Sequence, residues 1–312
     1  MEENKKFTFG GSSEVQDVNL NNNTVGVDAP AAAYTQNTVR RAANANDARI
    51  INVSITDKKA PMVILFGPPS CGKTMTLVRL TKYLKGKYSF EPDQAFRNSS
   101  DAEYEQVAEK FSAAVESDKA ADGTALIDFM LVRLIDRKSG RTFCQFVESP
   151  GEFLFDPDKP KQDFPAYLHQ IIASPNRKIW LIFLEPGKSE KERTDYVEKI
   201  KNLRTIINER DRIIFVENKV DHPATQAYIM SRTSINMSGL YRHIDGLYPN
   251  LFATFTKEGI FWSTKQYDFT AFQTGTYAVG QDNDGKTVKT FQAGDDSHPA
   301  RLWQVIKKRI TG

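Results

Sequence analysis

Between an apolar run, Met62–Phe66, and a segment with helical spacing, Lys73–Leu84, the chain reads Gly67-Pro68-Pro69-Ser70-Cys71-Gly72-Lys73-Thr74. A strand that passes directly into a helix through two glycines is an entry point of an α/β sheet, because only glycine takes up the close-approach and left-handed conformations of such a turn without strain. In this context the pattern G-x-x-x-x-G-K-[ST] is a phosphate-binding loop. Its successive amides point toward one spot, and the helix that follows adds its dipole. Lys73 can reach terminal phosphate oxygens, and Thr74 offers a hydroxyl to Mg²⁺, a hard cation that takes oxygen ligands. The candidate phosphate contacts are therefore Gly67, Pro68, Pro69, Ser70, Cys71, Gly72, Lys73, Thr74 and the next residue, Met75.

A phosphate loop does not choose a base. Gly67-Pro68-Pro69 resembles the opening of the loop in AAA+ ATPases, so an ATPase is the rival reading. Such an enzyme needs an apolar strand that runs into Asp-Glu, whereas the two candidate strands end Phe146-Val147-Glu148-Ser149 and Phe215-Val216-Glu217-Asn218. The second of these delivers Asn218-Lys219-Val220-Asp221 to the carboxyl end of a buried-type run, Arg212–Glu217, which is where open α/β sheets bind ligands. A carboxylate there can accept hydrogen bonds from both N1–H and the exocyclic amine of guanine, a paired donor edge that adenine lacks, which makes Asp221 the base reader. Lys219 can lay its aliphatic stem along the ring.

In order and spacing these motifs resemble the Ras-like, translation-factor-related class of P-loop GTPases. The resemblance implies a three-layer α/β fold with a mostly parallel sheet and one antiparallel hairpin strand, GTP or GDP as ligand, and Mg²⁺ as cofactor. The counterpart of the family's Asp-x-x-Gly is Glu148-Ser149-Pro150-Gly151, after a strand at 142–147 that pairs with 126–135 across a turn containing Ser139-Gly140. Thr124 stands where the family has the switch threonine that completes the Mg²⁺ shell. Ser263-Thr264-Lys265, after the apolar residues 260–262, resembles the Ser-Ala-Lys element that contacts the guanine oxygen. On this basis Thr74, Thr124 and Glu148 are the metal candidates, and Lys73, Thr124, Gly151 and Glu152 the catalytic ones.

Two residues depart from the family pattern. Glu148 replaces the usual aspartate, and Glu152 stands where the Ras subgroup has the glutamine that orients the attacking water. A carboxylate facing a polyanion is repelled unless it is protonated or turned away, which predicts slow intrinsic hydrolysis. An arginine supplied by a partner is worth about 10³ to 10⁵ in rate for this chemistry, so a slow domain is compatible with a switch read by a protein partner. A scaffold that holds nucleotide without turning it over is the third reading. A looser likeness is to bacterial GTPase domains of multi-protein systems.

The 312 residues suit one nucleotide-binding core with appendages. Residues 1–47 are polar and aperiodic and are expected to form a disordered tail, leaving 48–312 as the GTPase domain. Within that domain, 49–55 alternates like an edge strand. An inserted segment at about 88–122 carries a helix, Ala102–Glu116, with Val107, Phe111, Ala114 and Val115 on one face, either as a lid or as a packing helix. A charged amphipathic helix is expected in 189–209, and a second helical stretch within 223–247. An inserted hairpin at about 266–296 turns at Asp282-Asn283-Asp284-Gly285, which lacks the twelfth-position glutamate and flanking helices of a calcium loop. A terminal helix at 299–310 presents Leu302, Trp303, Val305 and Ile306 for packing.

The formal charge of +3 is nearly balanced, and Lys307-Lys308-Arg309 is too short a basic run to indicate nucleic-acid binding. Two cysteines, Cys71 and Cys144, suit a reducing cytoplasm. No run approaches the ~20 apolar residues of a membrane span. His169, His222, His243 and His298 have no metal-ligand spacing.

Overall fold

The computed structural model describes residues 51–97, 102–116, 129–155, 162–231, 233–258, 263–281 and 287–312, all within the compact unit Val39–Gly312. The expected tail, residues 1–47, lies outside them. β1 (Met62–Phe66) is buried along its whole length and leads through the glycine loop into α1 (Lys73–Leu84). β2 (Tyr88–Pro92) and α2 (Ala102–Glu116) follow, then β3 (Met130–Asp136), β4 (Thr142–Glu148), α3 (Ala166–Ala173), β5 (Lys178–Leu184), α4 (Glu190–Ile206) and β6 (Arg212–Glu217). After them come α5 (Pro223–Gln226), α6 (Met237–Leu247), β7 (Thr256–Glu258), β8 (Ser263–Lys265), β9 (Tyr267–Ala271), the hairpin β10 (Gly275–Gln281) and β11 (Thr287–Ala293), and α7 (Ser297–Thr311).

The main sheet has the order β2-β3-β4-β1-β5-β6-β9. β3 runs antiparallel to both of its neighbours, and all other pairings are parallel. Continuous apolar runs such as Lys178–Leu184, buried at every position, are what a sheet covered on both faces requires. α7 packs on β5, β6 and β9 beside α1, and α2 packs on α1 and β3. On the opposite face, Phe215 of β6 meets Phe252 and Phe255 at 4.9 and 5.6 Å between ring centroids. The architecture is the three-layer α/β arrangement expected from the sequence, with the β3–β4 hairpin preceding the segment at Gly151.

Three expectations require correction. Residues 51–55 form no strand: the Val53 amide donates to Gln170 Oε1 and the Ser54 amide to the Phe96 carbonyl, so neither joins a ladder. The edge is taken instead by β2, which lies inside the segment expected as a helical insertion. Tyr88 anchors it, buried against Phe143 and Trp303 at 5.5 Å each. The hairpin insertion is shorter than 266–296, because β9 within that range is a strand of the main sheet paired with β6, leaving 275–293 as the hairpin. Helix α2 stands as expected, with Val107 and Phe111 buried. The turn residues 282–285 lie outside the described residues.

Candidate functional site

The glycine loop owes its shape to a few backbone positions. Ser70 (φ 60°) and Gly72 (φ 90°) both adopt the left-handed conformation, and Gly72 precedes α1 without a side-chain cap hydrogen bond. A Cβ on Gly67 would come within 2.8 Å of Cys71 Sγ and 2.9 Å of Phe183 Cβ. The Lys73 ammonium donates to the carbonyls of Gly67 and Pro68, both at 3.0 Å, and so lies across the loop it belongs to. Burial pushes the Cys71 thiol up despite the Lys73 charge nearby, which keeps it protonated and unreactive.

β4 lies directly beside β1, with Leu65 opposite Glu148. This register brings Glu148, 2% exposed, to the start of α1, where Thr74 Oγ1 donates to Glu148 Oε1 at 3.2 Å. The longer acid therefore reaches the Thr74 hydroxyl directly. A hydroxyl and a carboxylate at a helix N-terminus form a hard-oxygen donor set that fits Mg²⁺. Just beyond, Ser149 Oγ is held by the Leu65 carbonyl at 3.0 Å, and Gly151 sits on the phosphate loop itself. A Cβ on Gly151 would lie 2.5 Å from Pro68 C and Pro69 N, and 2.8 Å from Gly67 O. Glu152 is exposed in the one-turn 3₁₀ helix Gly151–Phe153. Thr124 lies outside the described residues.

The loop after β6 meets the phosphate loop from the other side. Asn218, almost fully buried, continues the β5 ladder by donating its amide to Leu184 O at 3.0 Å. Its Nδ2 donates to the Cys71 carbonyl at 2.7 Å, and its Oδ1 has no hydrogen-bond partner among the described residues, which leaves an acceptor for a ligand. Lys219 is left-handed (φ 53°) and its ammonium pairs with Glu185. Asp221 is exposed in the turn closed by the His222 amide on the Lys219 carbonyl at 2.8 Å.

Ser263, Thr264 and Lys265 do not join this group. They form β8, paired with β7, and the Lys265 ammonium lies 4.3 Å from the centre of the Tyr241 ring. β9 runs parallel to β6 with Ile213 opposite Tyr267 and Glu217 opposite Ala271, so residues that precede β9 belong to the far end of the sheet. At ~3.3 Å per residue, Lys265 is about 20 Å from the Ala271 end. The segment brought beside Asn218 is Phe272–Gln273–Thr274: the Phe272 amide donates to Glu217 O at 2.8 Å and its carbonyl accepts from Val220 at 3.4 Å. The sequence signal was the aromatic alternation Tyr267, Phe269 leading into Ala271, which marks the strand whose end matters.

Two further buried residues, Glu217 and His298, stand near the site. Glu217 is 0% exposed, and neither of its carboxyl oxygens has a hydrogen-bond partner among the described residues. Burial, with the Glu185 charge added, holds its carboxyl well above the usual range, so it is neutral. His298 of α7 packs on Phe272 at 6.3 Å between ring centroids, and burial together with the Arg301 charge pushes its pKa down to about 4. A cleft of about 340 Å³ is lined by Pro68, Pro69, Phe155, Phe183, Tyr196 and Tyr248 among others. Lys73, Thr74 and Glu148 are not in its lining, whereas Pro68, Pro69 and Ser70 are, so the cleft opens along one side of the glycine loop and runs on to Glu185 and Lys188.

No protein-family model matches the chain, and none of the curated proteins resembles it in sequence. Among solved structures, it is similar to the putative nucleolar GTP-binding protein 1 of Plasmodium falciparum, with 13% identity, 71% of this chain and 80% of that one covered, and a TM-score of 0.34. It is also similar to the Saccharomyces cerevisiae Ski7 GTPase-like domain bound to GTP, with 12% identity, a TM-score of 0.42, and 81% of this chain covered. The same Ski7 domain bound to GDP and inorganic phosphate gives 12% identity and a TM-score of 0.41. The chain spans 50% of the length of each Ski7 structure. Among the described residues no helix is long and apolar enough to cross a membrane.

Proposed function

We propose that the chain binds guanine nucleotide across the loops that follow β1, β6 and β9, hydrolyses GTP slowly with Mg²⁺, and acts as a cytoplasmic switch for a protein partner. The observation that carries this reading is the hydrogen bond from Asn218 Nδ2 to the Cys71 carbonyl at 2.7 Å, which joins a loop suited to phosphates to one suited to a base. In the bound state the amides of Ser70 to Met75 donate to the phosphates while Gly67, Pro68 and Pro69 shape the loop, the two prolines having no N–H to give, with Lys73 turned from its own loop carbonyls toward phosphate oxygens. Asp221 accepts from the guanine N1–H and exocyclic amine, and Lys219 covers one face of the ring.

Thr74 and Glu148 would hold Mg²⁺, with Thr124 as a further ligand; bound there, the ion neutralises phosphate charge. Gly151, seated on the backbone of Pro68 and Pro69, gives the following segment a contact that depends on the phosphate loop. Glu152, exposed next to it, is the residue available to orient water, and its charge keeps the intrinsic rate low. Loss of the γ-phosphate would release the 148–152 segment and change affinity for the partner.

The test is Asp221→Ala. It is expected to weaken GTP and GDP binding by at least about tenfold, since an unpaired guanine edge costs more than ~1.4 kcal/mol, while leaving ATP binding as it was. GTP affinity unchanged by this substitution would sink the assignment. Lys73→Ala is expected to abolish turnover, and turnover that survives it would point to a contaminating activity.

A further inference from the structure

Lys219 needs something to hold it. Its side chain is 41% exposed, and a free lysine stem loses rotamer entropy when it is pinned against a ligand. The structure supplies an anchor in Glu185. This residue directly follows β5, whose ladder with β6 runs on past Leu184–Glu217 through the Asn218 amide, so Glu185 stands against the base loop. Its carboxylate pairs with the Lys219 ammonium through Oε1 and lies 3.4 Å from the Lys188 ammonium through Oε2. Its carbonyl accepts from the Tyr248 hydroxyl at 3.1 Å, which fixes the backbone from which that carboxylate extends. The side chain of Glu185 is 11% exposed, so the carboxylate end of the ion pair is withdrawn from solvent.

We propose that Glu185 is a positioning residue for nucleotide binding: by holding the Lys219 ammonium it sets the lysine stem as a preformed apolar edge against which the base packs. This rests on the guanine-nucleotide reading. It assigns to the end of β5 a role in affinity, separate from the discrimination that Asp221 performs, because the stem presents no donor or acceptor to the base edge.

The experiment is a double-mutant cycle on the full chain, with GDP and Mg²⁺ titrated into wild type, Glu185→Gln, Lys219→Met and the pair. Each single substitution is expected to weaken GDP about tenfold, and the double to be no weaker than Lys219→Met alone. The ratio of GDP to IDP affinity is expected to stay at its wild-type value in Glu185→Gln, because IDP lacks only the exocyclic amine read by Asp221; a collapsed base loop would change that ratio. Glu185→Asp keeps the charge with a shorter reach and is expected to fall between wild type and Glu185→Gln; it takes the place of Glu185→Gln in the cycle should that variant not fold. Additive losses in the double variant, or wild-type GDP affinity in Glu185→Gln, would overturn the positioning role. If the wild type itself binds ADP as well as GDP, the guanine reading fails and this role with it; if it prefers GDP and only the cycle is additive, the role of Glu185 alone is lost.

Discussion

Asn218 Nδ2 lies 2.7 Å from the Cys71 carbonyl, in a space so close that a Cβ on Gly72 would be 2.3 Å from the same nitrogen. The base-side loop and the phosphate loop are therefore interlocked, and neither can change shape without disturbing the other. Gly72 answers to two demands at once, a left-handed φ of 90° and room for the Asn218 amide.

Removing that tie with Asn218→Ala leaves a carbonyl unsatisfied in a buried site. The expected cost is about 1–3 kcal/mol of folding stability, with guanine-nucleotide affinity reduced at least about tenfold. Thermal unfolding and a GDP titration on the same preparation check both. Gly72→Ala should give the same pair of losses by displacing the Asn218 side chain from the opposite direction.

Gly151→Ala separates binding from switching. The new methyl would meet backbone atoms of Pro68 and Pro69 at 2.5 Å, and neither is the free end of a flexible side chain. The segment after β4 must then lift off the phosphate loop, at a cost typical of overpacking, about 1–3 kcal/mol. Single-turnover measurements are expected to show hydrolysis at least about tenfold slower, with GDP affinity within about threefold of wild type.

Glu217 predicts how stability changes with rising pH. Its folded pKa is raised by burial and by Glu185, so the folded chain holds a proton that the unfolded chain gives up above pH about 4.5. That contribution is complete below about 4.5 and is lost as pH rises toward the folded pKa. The wild type should lose stability between pH 5 and pH 8 relative to Glu217→Gln, in which the proton is replaced by a permanent neutral amide. Equal pH slopes in denaturant unfolding would contradict a neutral Glu217.

His298 predicts the acid side with the opposite sign. Its folded pKa of about 4 is below the ordinary 6.5, so its contribution is present above 6.5 and lost as pH falls from there to 4. At about 1.4 kcal/mol per pH unit the loss amounts to a few kcal/mol at most. His298→Gln, which cannot titrate, should flatten the unfolding curve across that window.

What the sequence made legible is local. The strand, glycine loop and helix at 62–84 and the β3–β4 hairpin follow from residues a few positions apart, with strand and helix patterns directly beside them. The failures come from pairing partners distant in the chain. Ser263-Thr264-Lys265 satisfies a three-residue pattern, yet the register of β9 on β6 decides which end of the strand faces the site, and it selects Phe272–Thr274. β2 is short, ends in Pro92 and takes its burial from Trp303, so nothing in 88–92 alone marks an edge strand. Glu185 and Glu217 each look like the polar end of an apolar strand. Only adjacency of β5 and β6 makes them neighbours, one paired with Lys219 and the other buried without a hydrogen-bond partner among the described residues.

Guanine selectivity is the property that the joined loops should confer. Its direct measurement is displacement of a fluorescent GTP analogue from the purified chain by GTP, GDP and ATP, each with and without Mg²⁺. Displacement by GTP and GDP at concentrations at which ATP has no effect is the predicted result. ATP displacing as well as GTP would rule out guanine selectivity, and would reduce Asn218 to Asp221 to a polar turn behind an ATP site.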